Sequence, residues 1–160
     1  VVAKTPNAKT HLGKQFFDKT TKREYVAVVW GAPSPENGRI EGNIGRSLKD
    51  RLQMTVFPDG DMGKHAVTHY ETIESFGYVS VVKCRLETGR THQIRVHMAH
   101  IKHPLVGDFV YGPSKQPFNV EGQLLHAKIL GFVHPRTGQY MEFERPRPEI
   151  FEETLKKIRR

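Results

Sequence analysis

Residues 86–112 concentrate side chains able to bind anions and move protons: Arg90 and Arg95, five apart, with His92, His97, His100, His103 and Asp108. The planar guanidinium fork of arginine holds a carboxylate or a phosphate at two points. Backbone N–H groups at a helix start attract the same anions. Tyr78, Ser80, Val82, Cys84 and Leu86 alternate along residues 78–86, which predicts a strand ended by Gly89. Thr91 is the expected N-cap of a short helix whose apolar stripe is Ile94, Met98 and Ile101. Arg90 and Arg95 then flank a strand-to-helix junction, where they either grip an anion or form ordinary surface ion pairs. His97, His100 and His103 recur every three residues, a spacing that can bring two ligands onto one helix face. No cysteine or closely placed carboxylate completes a ligand set, so no metal is expected. His92 and His97 read as hydrogen-bonding residues or phosphate contacts, and a histidine-based phosphoryl-transfer site rests on nothing beyond the histidine count. Two further basic groups, Arg46/Lys49/Arg51 and Lys19/Lys22/Arg23, are either phosphate contacts or solvated surface.

These groups need a fold to position them. A chain of 160 residues is expected to form one domain, 1–160, with a real core. The formal net charge of +8 and pI of about 9.7 favour a polyanionic partner such as nucleic acid. There is no apolar run of eighteen residues, so no membrane contact is expected. Val1-Val2-Ala3-Lys4-Thr5-Pro6 does not read as a signal peptide, and a cytoplasmic location is expected. The single cysteine, Cys84, excludes an internal disulfide and reads as a buried thiol. Asp59-Gly60-Asp61 lacks the spacing and closing glutamate of a calcium loop, and Gly63-Lys64 lacks the rest of a P-loop.

Along the chain, residues 1–5 resemble the tail of a strand, and Pro6 opens a helix carrying Leu12 and Phe16. Residues 25–31 are apolar on both faces, which predicts a central strand with Tyr25 at its start. Ile40 and Ile44 are expected on one face of a short strand. Further strands are expected at 52–57, 66–74 and 124–133. Residues 140–144 should form a hairpin with the last of these. Residues 149–160 predict a helix with Phe151, Leu155 and Ile158 inward and Lys156, Lys157, Arg159 and Arg160 at its C-terminus. The expected fold class is α+β: a mixed, mostly antiparallel sheet with a few flanking helices.

Gly89-Arg90-Thr91-His92-Gln93-Ile94-Arg95-Val96-His97, followed by His103-Pro104-Leu105-Val106-Gly107-Asp108 and Tyr111-Gly112, resembles the RluA/RluC/RluD family of RNA pseudouridine synthases. The stretches 22–31, 63–70, 124–127 and 134–138 resemble that family's other strands and turn, in order, so the likeness covers essentially the whole chain. The resemblance implies a cofactor-free isomerisation of uridine in structured RNA, ribosomal RNA or alternatively transfer RNA, by a monomer that flips the base into a pocket. It implies that Tyr25 stacks on the base and that Arg95 pairs with a catalytic aspartate. It also implies that Leu125 lines the uracil pocket. Arg90, His92 and Arg46 are further candidate substrate contacts. The family's Arg-Leu-Asp motif is absent, and none of Asp18, Asp50, Asp59, Asp61 and Asp108 has its context. The sequence therefore reads as the C-terminal major part of a catalytic domain, starting just after that motif and inactive alone. Asp108 reads as structural. The alternative is a non-catalytic RNA-binding module using the same basic cleft.

Overall fold

In the computed structural model, which describes residues 1–159, the strand Lys22–Trp30 runs through the middle of a six-stranded sheet. The elements are helix α1 (Pro6–Phe17), strands β1 (Lys22–Trp30), β2 (Asn37–Glu41), β3 (Asn43–Arg46), β4 (Met54–Phe57), β5 (Val67–Ser75) and β6 (Val79–Leu86), helix α2 (Gln93–His100), strands β7 (Leu125–Val133) and β8 (Tyr140–Glu144), and helix α3 (Glu149–Arg159). The large sheet has the order β2-β5-β6-β1-β7-β8, and β3 and β4 pair as a separate ribbon. Every strand pairing among the described residues is antiparallel, so the α+β expectation holds with a sheet more uniform than "mixed".

Side chains alternate across the sheet, and β1 is buried on both faces. Val26 and Val28, with Val79 and Val81 of β6, pack under Phe151, Leu155 and Ile158 of α3. Ala27 and Val29, with Val82 and Cys84, pack under Ile94 and Met98 of α2. A strand covered by helices on both sides needs apolar residues at consecutive positions, which is the pattern of residues 25–31. Burial pushes the Cys84 thiol up to about 12, so it stays protonated and inert. Helix α1 docks through Gln15, whose side-chain amide pairs with both the N–H and the C=O of Val133, each at 2.7 Å.

Several local expectations are corrected. Residues 1–5 form no strand; Thr5 instead caps α1, its hydroxyl accepting the Ala8 N–H at 3.1 Å. Ile40 and Ile44 are both buried but lie on different strands in different sheets. The chain breaks between them at Gly42, whose carbonyl accepts the His97 Nε2–H and is thereby taken out of the β2 ladder. The strand expected from residue 52 begins at Met54. Asp50 accepts the Leu52 N–H in a turn and leaves Leu52 in solvent. Thr91 does not cap α2: the cap position is His92, in the left-handed region at φ 55°. Arg160 lies outside the described residues.

Candidate active site

At the start of β1 a cleft of about 630 Å³ opens between the sheet and the N-terminus of α2. Tyr25 reaches it from β1, Leu125 from the start of β7, Arg90 and His92 from the loop before α2, and Arg95 from the first turn of α2. A register shift between Glu24 and Tyr25 in the β1–β7 pairing sits directly beside Tyr25. Such bulges re-aim side chains at sheet edges and sites. Three arginines, Arg23, Arg90 and Arg95, line the cleft, and among the described residues no carboxylate does.

Arg95 is fixed rather than free. Its Nε and Nη2 donate to Asp108 Oδ2 and Oδ1 at 2.9 and 3.0 Å, and its guanidinium lies 4.9 Å from the centre of the Tyr111 ring. Asp108 is fully buried and also accepts the N–H groups of Val110 and Tyr111. Burial alone would raise its carboxyl, but these donors, the Arg95 fork first among them, hold it below the usual carboxylate range. Nη1 and the second hydrogen of Nη2 are left for a ligand.

Tyr111 links three parts of the site. Its hydroxyl accepts the Met54 N–H at 2.9 Å and also shares a hydrogen bond with His92 Nδ1, 2.8 Å away. Burial, and after it the Arg95 charge, hold the His92 imidazole below the ordinary histidine range, so it is neutral near pH 7.

A buried polar network clamps α2 to the sheet. Gln93 Oε1 accepts from the Thr88 hydroxyl (2.7 Å) and the Arg90 N–H (3.0 Å), while its Nε2 donates to Val67 O and Thr68 Oγ1, both at 3.0 Å. The Thr68 hydroxyl donates to His97 Nδ1 at 2.8 Å, and His97 Nε2–H donates to Gly42 O at 3.0 Å. Among the described residues no side chain caps α2; Gln93 instead ties the helix start to the preceding loop and to β5. His97 is structural and wholly buried, and His103 Nδ1–H donates to the Trp30 carbonyl. The three evenly spaced histidines do not converge. Among the described residues no group of three or more His, Cys, Asp or Glu could hold a metal ion.

Tyr25, Arg95, Leu125, Arg90 and His92 thus share one cleft, whereas Arg46 stands outside its lining, with its charge near enough to His92 to lower the imidazole further. Arg46 donates to Arg51 O across the exposed turn before β4 and lines no part of the cleft. Arg23, part of the basic run that the sequence left as either phosphate contacts or solvated surface, lines the cleft. The signal was its spacing: two residues before Tyr25 on one strand means the same face.

The sequence model of the RNA pseudouridylate synthase family matches residues 1–100. An uncharacterised RNA pseudouridine synthase of Bacillus subtilis is 51% identical over 160 residues, covering 100% of this chain and 52% of that protein. The ribosomal large subunit pseudouridine synthase D of Zymomonas mobilis is 45% identical over 156 residues, covering 93% of this chain and 49% of its own length. The chain spans about half the length of the curated relatives it matches. The solved structure of human RNA pseudouridylate synthase domain containing 1 superimposes with a TM-score of 0.73 at 25% identity, over 99% of this chain and 74% of that one.

Proposed function

The chain belongs to the RNA pseudouridylate synthase family, and from that premise we propose that it serves to isomerise uridine to pseudouridine in structured RNA, ribosomal RNA first, with the base flipped into the Tyr25–Arg95 cleft. The observation that carries this reading is convergence: three separate elements deliver Tyr25, Arg95 and Leu125 to one cleft that is rich in arginine and free of carboxylates.

The reaction detaches the base from C1′, turns it and rejoins it through C5. It is redox-neutral and calls for neither a cofactor nor a metal. Tyr25 offers a π face on which the extruded uracil stacks and a phenol that assists proton removal at C5. Leu125 forms an apolar wall. His92 offers a neutral imidazole at the cleft wall. Arg95, bolted in place by Asp108, directs its free guanidinium edge at the carboxylate that works on C1′. None of the chain's own aspartates lines the cleft. Asp108 lies behind Arg95, and Asp18 pairs with Lys14. Arg90, and Arg46 on the neighbouring ribbon, suit the phosphates of the flanking RNA. The free, buried Cys84 fits a reducing cytoplasm, and the proposed working form is a monomer. The non-catalytic RNA-binding reading is not favoured, because family membership points to the isomerase.

The test expresses the protein from its complete reading frame and incubates it with ribosomal RNA lacking pseudouridine. Product is mapped by carbodiimide-dependent primer-extension stops. New stops are expected. Tyr25→Phe should bind RNA as the parent does and lose turnover by roughly 100-fold or more, the scale of a proton-transfer group. Arg95→Ala should lose turnover as well. No stops with the parent protein would overturn the isomerase reading, and parent-like turnover in either variant would withdraw that residue's role.

A further inference from the structure

The three cleft arginines are not equivalent. Arg95 is paired with Asp108, and Arg90 donates its Nε to the His65 carbonyl at 2.9 Å. Arg23 has no carboxylate within salt-bridge distance among the described residues. Among the described residues its guanidinium makes one hydrogen bond, a long one of 3.4 Å from Nη2 to Glu87 O. Its Nε is buried without a hydrogen-bond partner. The group is nevertheless held in position. It stacks 5.3 Å from the centre of the Phe16 ring, and its Nη1 packs against Gly89 so closely that a Cβ there would collide with it. A half-buried cation with an orphaned donor is unfavourable unless an anion completes it.

We propose that Arg23 forms a phosphate subsite of the cleft, binding a phosphodiester next to the nucleotide whose base stacks on Tyr25. This rests on the reading of the cleft as an RNA site. Arg23 and Tyr25 stand two residues apart on β1, roughly 7 Å along the strand. A base drawn into the cleft brings its own backbone with it, so a phosphate must sit near the mouth. Because Nε is closed off from solvent, the guanidinium meets a phosphate oxygen through its Nη groups, and the pinning by Phe16 and Gly89 removes the rotamer entropy that a free arginine would lose on binding.

The test uses the whole 160-residue chain and a short single-stranded RNA with one uridine. A second RNA series replaces each phosphate flanking the uridine, in turn, by a neutral methylphosphonate. Affinities are measured by fluorescence anisotropy across a potassium chloride series. Arg23→Gln should weaken binding about 10-fold, the scale of a charge-assisted hydrogen-bond pair. It should also lower the slope of log affinity against log salt by about 0.7. Arg23→Lys should retain the slope while losing part of the affinity. One of the methylphosphonates should weaken the parent about 10-fold and Arg23→Gln no further. Without RNA, Arg23→Gln should melt no lower than the parent, because it removes an unpaired half-buried charge. An unchanged salt slope in Arg23→Gln, or equal methylphosphonate losses in both proteins, overturns the proposal. A lower melting point with an unchanged slope makes Arg23 a structural residue. Failure of the parent to bind RNA at all defeats the RNA reading together with the subsite. Normal binding that Arg23→Gln leaves intact defeats the subsite alone.

Discussion

Asp108→Asn removes one negative charge and leaves the shape almost unaltered. Asp108 is completely buried and the Arg95 side chain is only 11% exposed, so the pair is shielded from solvent. Breaking such a pair leaves a buried guanidinium facing a neutral amide and typically costs about 3–5 kcal/mol. Asparagine can still accept the N–H groups of Val110 and Tyr111, which places the expected loss at the lower end, about 3 kcal/mol. With a urea m-value of about 2 kcal/mol/M, that moves the unfolding midpoint down by roughly 1.5 M. In a thermal melt it corresponds to a fall of roughly 6–12 °C for a domain of this size. The effect has a definite pH signature. The folded-state pKa of Asp108 is depressed below its unfolded value, so its contribution is complete above about pH 4 and fades as pH drops through the folded value. Parent and variant should therefore converge in stability in acid. Replacing both partners, Arg95→Met with Asp108→Asn, which keeps an acceptor for the Val110 and Tyr111 N–H groups, should recover most of the stability and none of the function, separating packing from chemistry. A midpoint for Asp108→Asn equal to the parent's at pH 7, or a stability difference that persists unchanged into strong acid, would refute the argument.

Three other outcomes follow from the geometry. Gly107 has φ +83°, and a Cβ there would run into the Gly122 carbonyl; Gly107→Ala should destabilise by about 3 kcal/mol or more in denaturant titration. His97 is held neutral chiefly by burial, below the usual histidine range. The unfolded chain therefore takes up a proton first as pH falls below about 6.5, so the urea midpoint should drop between about pH 7.5 and 5.5, and an NMR titration should place His97 below an exposed histidine. Residues 1–160 by themselves should bind RNA in a salt-sensitive way and form no pseudouridine, because no carboxylate lines the cleft; primer-extension stops from this chain alone would show that another group acts as nucleophile.

Local pattern was sufficient for most elements. The apolar run after Tyr25 announced a strand buried on both faces, and Phe151, Leu155 and Ile158 marked the inner face of α3, because both periods are set by the backbone itself. The motif around Arg90 and Arg95 likewise marked the site, and Asp108 was expected to be structural. What the sequence could not decide was pairing between distant residues. That Arg95 is tied to a carboxylate thirteen positions away, that Gly42 ends β2 because His97 claims its carbonyl, and that Gln93 rather than Thr91 secures the start of α2 all depend on where the sheet brings α2 to rest. The same holds for Arg23. Its charge left a phosphate contact and a solvated surface equally open, and strand period put it only on the face of Tyr25. Only the packing of Phe16 from α1 and Gly89 from the loop after β6 turns it into the cleft. Strand period fixes which face a residue occupies, whereas the order of strands and the docking of helices determine what that face meets.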